Sequence, residues 1–233
     1  MNFKKGLRDG VPICLGYFSV SVAFGVTAAT GGLSWLEAMM ISLFNLTSAG
    51  QKAGLDIIIA GGSLIEIALS QLLINARYSL MGISLSQKLE KGFSSPYRMF
   101  LGFAITDEIF AVASGQKVIA RTYMAGLAIL PIIGWTSGTL LGALLGSVMP
   151  QIVQSALGVA LYGMFIAVFV PAAKIEKSVL CVVGIAVFCS SMMYYMPLLK
   201  TISSGFAVII CTVIAAALGA ILFPKEEEQS DAV

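Results

Sequence analysis

The chain has 233 residues, of which 58% are hydrophobic and 11% charged, and its mean hydropathy is +0.94. Soluble domains carry about 25% charged residues, so this composition predicts an integral membrane protein without a sizeable soluble domain. The net charge of +2 is too small to indicate a nucleic-acid partner, and the absence of histidine excludes histidine-based zinc sites, Ser-His-Asp catalysis and imidazole proton relays.

The first predicted element is an apolar run over residues 11–30, which follows Lys4, Lys5 and Arg8. The run is too long for a signal peptide and lacks a small-x-small cleavage site, so we interpret it as the first spanning helix. A second helix is predicted to begin after Ser34, because Glu37 stands three residues later and completes a capping box.

Polar residues 45–52 interrupt the next apolar segment, and neither half reaches the roughly 20 residues that a spanning helix needs. Together the halves are typical of one span that is broken in the middle, where free backbone amides and carbonyls can bind the ionic ends of a solute. The alternative is an ordinary loop in which Lys52 and Asp56 form a solvated pair.

The third predicted span, residues 63–87, carries a polar stripe that includes Glu66 and Arg77 on one helical face. An arginine at the centre of a membrane helix costs about 2.5–3.5 kcal/mol, so it needs a polar cavity, a carboxylate or a solute. Glu66 lies about 16 Å from Arg77 along the axis and is too distant to pair with it. We therefore expect the partner of Arg77 on another helix.

The fourth predicted span, residues 99–115, supplies that partner at its centre, in Thr106, Asp107 and Glu108. Adjacent residues on a helix point about 100° apart, so one carboxylate is expected to meet Arg77 and the other to stay free to titrate. A desolvated carboxyl group without a full partner has a raised pKa, which suits a proton-coupled carrier. The alternative is an ion pair that only holds two helices in register.

The second half of the chain is nearly free of charge. Glycines recur every fourth residue along the fifth predicted span and form a smooth ridge for helix packing, inside the chain or against another subunit: Gly134, Gly138, Gly142 and Gly146. Further spans are predicted over residues 152–170, 179–196 and 203–223. Residues 1–224 are thus predicted to form a single transmembrane domain, and residues 225–233 an acidic, disordered tail.

The whole pattern predicts an all-α polytopic membrane protein with about eight transmembrane helices, one of them broken, and with both ends cytoplasmic. Lys88, Lys91 and Arg98 then lie outside, against the positive-inside tendency; if the broken segment is re-entrant, the number is seven and these residues lie inside. A shift of 118 residues aligns Gly16 with Gly134 and hints at two related halves.

Three motifs carry a family resemblance: residues 46–51 (Leu-Thr-Ser-Ala-Gly-Gln), 75–78 (Asn-Ala-Arg-Tyr) and 106–108 (Thr-Asp-Glu). In this order and spacing they resemble the AzlC family of branched-chain amino-acid permeases, over about residues 6–220. The resemblance implies export of branched-chain amino acids across the bacterial cytoplasmic membrane, together with a small membrane subunit of the AzlD type. Tyr78 stands where family members usually have histidine, and Lys52 and Asp56 stand where apolar residues are common.

A zwitterionic aliphatic solute needs a cation or free amides, a carboxylate and an apolar wall. We expect Arg77 and the amides around Ser48 and Gly50 to hold its carboxylate, and Asp107 or Glu108 to take its ammonium group or a coupling proton. Three more residues are expected to orient the solute: Asn75, Gln51 and Thr106. The chain has no P-loop, metal-ligand spacing or obvious nucleophile, so we expect no enzyme, cofactor or metal. The rival hypothesis is a non-transporting membrane subunit, used in assembly or reception, whose Arg77–carboxylate pair is structural.

Overall fold

The computed structural model describes residues 2–146, 148–199 and 201–224, which are all-α with no β-strand in these ranges. A 3₁₀ turn, Pro197–Leu199, lies between the last two of ten α-helices: α1 (Phe3–Thr30), α2 (Trp35–Phe44), α3 (Ser48–Ile59), α4 (Leu64–Ser86), α5 (Ser95–Gly102), α6 (Asp107–Ser114), α7 (Arg121–Gly146), α8 (Gln151–Ile175), α9 (Lys177–Tyr195) and α10 (Ser204–Leu222). By length and composition, α1, α7, α9 and α10 could cross a membrane. Helices α4 and α8, with 23 and 25 residues, also exceed the roughly 30 Å of a hydrocarbon core.

Helices α1 and α7 pack in parallel as the centre of the fold. Their backbones touch at glycines: a Cβ atom added to Gly10 would lie 2.9 Å from the Leu127 carbonyl oxygen, and one added to Gly146 would lie 3.3 Å from Val26 Cα. Residue numbers rise together along both helices, so both run in the same direction. The glycine ridge of α7 is therefore an internal contact. We call the side where α1 begins the first side and the side where it ends the second side.

Helices α2 and α3 form a re-entrant hairpin from the second side. Helix α2 begins shortly after α1 ends, with the predicted capping box of Ser34 and Glu37 in place. At the other end of the pair, Ile59 packs against Gly31, which follows α1 directly. The interruption at residues 45–47 lies midway, since Leu46 lines a cavity with Tyr17 of α1. The pair thus enters and leaves on the second side.

Helix α4 crosses to the first side, where Leu85 joins a buried cluster with Tyr123. Helices α5 and α6 then form a second hairpin, from that side. The amide of Ile119 donates to the Lys88 carbonyl (2.7 Å), which ties the loop after α6 to the loop before α5. Halfway between, Thr106 lies 2.6 Å from the Tyr17 hydroxyl, at the same depth as the tip of the first hairpin.

The last three long helices complete the crossings. Gln154 near the start of α8 donates to the Gly146 carbonyl at the end of α7 (3.0 Å), which places the start of α8 on the second side. Gly205 at the start of α10 faces Ile57 of α3 on that side, and Gly219 near its end faces Val182 near the start of α9, so α9 and α10 are antiparallel. Among the residues that the structure describes, six helices therefore have the length and the placement to cross, and two interrupted pairs turn back.

The all-α polytopic prediction is confirmed, but the arrangement differs in two respects. Residues 99–115 do not form one continuous span: α5 ends at Gly102 and α6 begins at Asp107. Six of the described helices have the length to cross, where we predicted eight or seven spans, because hydropathy records how much of the chain is apolar and not whether it turns back. The predicted tail, residues 225–233, lies outside the described residues.

In this arrangement most of the basic residues in the described part of the chain lie on one side. The first side carries the basic residues of the terminal segment and of three loops: Lys4, Lys5, Arg8, Lys88, Lys91, Arg98, Lys117, Arg121, Lys174 and Lys177. Lys88, Lys91 and Arg98 therefore lie on the same side as the amino terminus, and the conflict with the positive-inside tendency disappears.

The hint of two related halves extends only to α1 and α7. These two helices are parallel and contact each other near the register of the 118-residue shift. The same shift places the interrupted α2–α3 pair over α8, which is continuous. Another pairing follows from the element order: α1 and α4 are each followed by an interrupted helix pair, and the two units run in opposite directions.

Candidate functional site

A cavity of about 340 Å³ lies at mid-depth, where the two hairpin tips meet α1, α4 and α7. At each tip the helix is interrupted, so backbone groups there lack regular helical hydrogen bonds, and α1 forms one wall of the cavity. Twelve residues line it: Pro12, Ile13, Gly16, Tyr17, Val20, Leu46, Ser48, Tyr78, Thr106, Asp107, Glu108 and Trp135. Its wall is mostly apolar, with two carboxylates and a few hydroxyl groups, as expected of a site for a small amphipathic molecule.

Arg77 pairs with Asp107, as the sequence predicted that it would pair with one of the two carboxylates. Its Nη1 and Nη2 atoms each lie 2.9 Å from one Asp107 oxygen, in the fork geometry that arginine and carboxylate favour. Nη2 also donates to the Tyr78 hydroxyl (3.0 Å), and the guanidinium carbon lies 4.8 Å from the centre of that ring. The pair fixes the start of α6 against α4. Asp107 lines the cavity, whereas Arg77 lies behind it.

Glu108 points away from Arg77 and meets a different group. The Tyr17 hydroxyl donates to its carboxylate and also contacts Thr106, whose own hydroxyl caps α6 by accepting from the Ile109 amide (3.4 Å). No cation of the described chain lies within ion-pair distance of Glu108. Adjacent carboxylates therefore have separate environments, one neutralised by a guanidinium and the other held by a phenol.

The tip of the first hairpin offers backbone amides to the cavity. Ser48 lines the cavity at the first residue of α3. Thr47 does not cap this helix with its side chain, because its hydroxyl donates to Asn45 Oδ1 instead (2.5 Å). The first amides of α3 thus have no capping side chain, and the positive end of the helix dipole points to the cavity.

Asn75 and Gly50 lie together behind this tip. Gln71 organises the contact: its Nε2 donates to the Gly50 carbonyl (2.7 Å), and its Oε1 accepts from the side chains of Asn45 and Asn75, each at 3.0 Å. Asn75 Oδ1 is buried and has no hydrogen-bond partner in the described structure. These residues hold α3 against α4 and do not line the cavity itself.

Gln51 is fully buried and faces α7. Its Oε1 accepts from Trp135 Nε1 (2.8 Å), and its Nε2 donates to Ser42 (2.5 Å), whose hydroxyl lies 2.7 Å from that of Thr139. Of the eight predicted site residues, four line the cavity: Ser48, Thr106, Asp107 and Glu108. The other four support its walls from behind: Gln51, Gly50, Asn75 and Arg77.

The residues of the site that were not predicted include Tyr17, Trp135 and Gln71. Tyr17 and Trp135 pack edge to face, with ring centres 5.2 Å apart, and form the aromatic wall. Aromatic residues in apolar helices gave no signal that separates a cavity wall from ordinary packing. Gln71 did give one, since a polar residue four positions before Asn75 extends the same helical face.

Comparison with known proteins adds three findings. The model of the AzlC protein family matches residues 12–149. The inner membrane protein YgaZ of Escherichia coli (strain K12) is 32% identical over 189 residues, which cover 78% of this chain and 77% of that protein. An uncharacterized membrane protein of Archaeoglobus fulgidus is 33% identical over 174 residues, 74% of this chain and 76% of its own. No solved structure matches the chain.

Proposed function

Because the chain belongs to the AzlC family, we propose that it is a secondary transporter that exports branched-chain or similar hydrophobic amino acids across the bacterial cytoplasmic membrane. Two of its relatives are named as membrane proteins. The observation that carries the proposal is the meeting of two oppositely directed re-entrant tips at one mid-membrane cavity with carboxylates and free amides. Interrupted helices at this depth are how secondary carriers bind charged solutes.

The cavity has opposite polarity at its two tips, which suits a zwitterion. Ser48 and the first amides of α3 offer hydrogen-bond donors to a carboxylate. Asp107 and Glu108 of α6 offer acceptors to an ammonium group, and Ile13, Val20 and other apolar side chains complete the wall. Arg77 contributes indirectly, since both its terminal nitrogens are bound to Asp107 and hold that carboxylate at the cavity.

Glu108 is the best candidate for proton coupling. It has no cation partner in the described chain and is held by Tyr17, so a change at Glu108 leaves the Arg77–Asp107 pair intact. The sequence has no nucleotide-binding loop, so the energy for export would come from an ion gradient.

The two hairpins supply the two gates that alternating access requires. The basic first side is the cytoplasmic side by the positive-inside tendency. The α5–α6 hairpin then controls access from the cytoplasm, and the α2–α3 hairpin controls release outside. A small membrane protein of the AzlD type would act as second subunit.

The test is efflux of labelled leucine or valine from proteoliposomes that contain the chain, prepared with and without the product of an adjacent short apolar reading frame. We expect Asp107→Asn and Glu108→Gln to lower efflux by roughly 10-fold or more, the effect of losing a hydrogen bond to a charged group. Lys91→Met, in an exposed loop, is the control. Full efflux in both carboxylate variants and in Arg77→Gln would sink the assignment. If the folded wild-type chain exports no leucine in either preparation and Arg77→Gln fails to fold, the non-transporting subunit is favoured.

A further inference from the structure

A second charge pair, Lys52 and Asp56 on α3 of the first hairpin, does not line the central cavity. Ser48, Lys52 and Asp56 follow one another at four-residue spacing on α3, so each is rotated by only about 40° from the one before. Ser48 lines the cavity, and Asp56 lies about 12 Å farther along the helix, next to its second-side end. The three side chains form a polar stripe that leads from the cavity to the outside.

The two charges differ in exposure. The Lys52 side chain is 8% exposed and its Nζ atom contacts both Asp56 oxygens, at 2.5 and 2.6 Å. The same ammonium group lies 5.2 Å from the ring centre of Tyr162 on α8. The Asp56 side chain is 49% exposed. A buried cation thus stands behind an accessible carboxylate, beside an aromatic ring.

Local stability does not account for this pair. Both residues lie on one helix, so their bond cannot join α3 to another element. Lysine before an acid at this spacing is the less favourable order, and Asp56 lies in the last turn, where the helix dipole disfavours a negative charge. Removing such charges from an apolar setting is often neutral or stabilising.

We propose that Lys52, Asp56 and Tyr162 form an outer subsite for a zwitterionic amino acid on its way out of the cavity. In the empty protein the two charges neutralise each other. An arriving solute replaces that bond: its carboxylate takes Lys52, its ammonium group takes Asp56, and its aliphatic part packs on the Tyr162 ring. The inference rests on the proposed transport function and adds a second binding site to the export pathway.

The test compares labelled leucine efflux and thermal unfolding in proteoliposomes and detergent. The double variant Lys52→Leu/Asp56→Leu is expected to unfold at or above the wild-type temperature while efflux falls by roughly 10-fold or more. Lys52→Arg and Asp56→Glu keep both charges and should each retain efflux within about threefold of wild type, whereas Lys52→Met removes one charge and should lower efflux by roughly 10-fold or more. Lys91→Met is again the control for loss of a lysine.

The two hypotheses fail by different results. If the wild-type protein exports no leucine, the proposed transport function is refuted. If the wild-type protein exports leucine and the double Leu variant exports it at the same rate, the outer subsite is refuted. If the double variant does not fold, the conservative pair decides: efflux as low in Lys52→Arg as in Lys52→Met would mean that packing, not charge, matters at this position.

Discussion

Replacing Arg77 with glutamine removes both hydrogen bonds that fix the start of α6 against α4. Breaking a buried ion pair by deleting one partner costs about 3–5 kcal/mol, since the other charge stays desolvated. Here the side chains are 37% and 30% exposed, so solvent screens part of the interaction. We expect a loss of about 2–3 kcal/mol in the free energy of unfolding. For a chain of this size that lowers the melting temperature by about 4–12 °C.

The assay is thermal unfolding of the purified protein in detergent, followed by intrinsic fluorescence, as a double-mutant cycle. Arg77→Gln/Asp107→Asn leaves two neutral amides that can still hydrogen-bond, so it should recover most of the lost stability. Arg77→Lys should fall between wild type and Arg77→Gln, because an ammonium group cannot form the two-pronged contact. Arg121→Gln, whose partner Glu90 is 4.0 Å away and whose side chain is 56% exposed, should shift stability by less than about 1 kcal/mol.

Two results would refute the reasoning on Arg77. The first is that Arg77→Gln unfolds at the same temperature as the wild-type protein, which would mean that the Arg77–Asp107 pair does not hold the second hairpin in place. The other is a double variant as unstable as the sum of its single changes, which would place the partner of Arg77 elsewhere.

Three further predictions follow from the contacts at the tips and in the helix pair. Tyr17→Phe removes the hydroxyl that bridges α1 to the tip of the second hairpin. It should shift the pH dependence of leucine efflux and leave the melting temperature within a few degrees of wild type. An unchanged pH profile would show that Tyr17 takes no part in proton coupling. Gly142→Val should abolish membrane accumulation, because its added atoms would overlap the α1 backbone, whereas Gly158→Val, at an open position, should accumulate normally. In a cysteine-free background, Gly61→Cys should react with a membrane-impermeant thiol reagent in whole cells and Lys117→Cys only after lysis; the opposite pattern would invert the assigned sides.

The long regular helices were the predictable part of the fold. The third span was predicted over residues 63–87 and α4 covers Leu64–Ser86, because Ser63 caps its start and an apolar run fills its length. The glycine ridge of α7 was predicted to be a packing surface, but the sequence left open whether its partner was internal. Small residues permit close approach without specifying which helix approaches.

The second hairpin was missed although its signals were present. Residues 95–114 have the length of one span, so the apolar pattern predicted a continuous helix. Thr106 before two acidic residues is a common start of a helix, and the structure shows its hydroxyl in the capping position. The same three residues therefore carry a local helix-start signal as well as the two carboxylates.

Whether an interrupted segment crosses or turns back cannot be decided by hydropathy, since both arrangements bury the same apolar residues. The positive charge of the loop that includes Lys88 and Lys91 indicates on which side of the membrane this loop lies. In an arrangement with eight crossings, this basic loop lies outside. In an arrangement with one re-entrant segment, the loop lies inside, but α1 and α7 would then be antiparallel, whereas they contact each other in parallel. Only two re-entrant pairs satisfy both the charge distribution and the parallel packing.

The opposite entry of the two hairpins explains how one small cavity can hold both ends of a zwitterion. Two helices that start at a common point normally present two positive dipole ends there. The start of α3 keeps that character, since no side chain caps it. The start of α6 reverses it, because Asp107 and Glu108 occupy its first two positions. On the proposed function, a solute with one carboxylate and one ammonium group would fit between the tips in a single orientation, and a solute that lacks either group would leave one tip unmatched. Leucine amide and isocaproate, which each lack one charge, should compete with labelled leucine at least about tenfold more weakly than leucine itself.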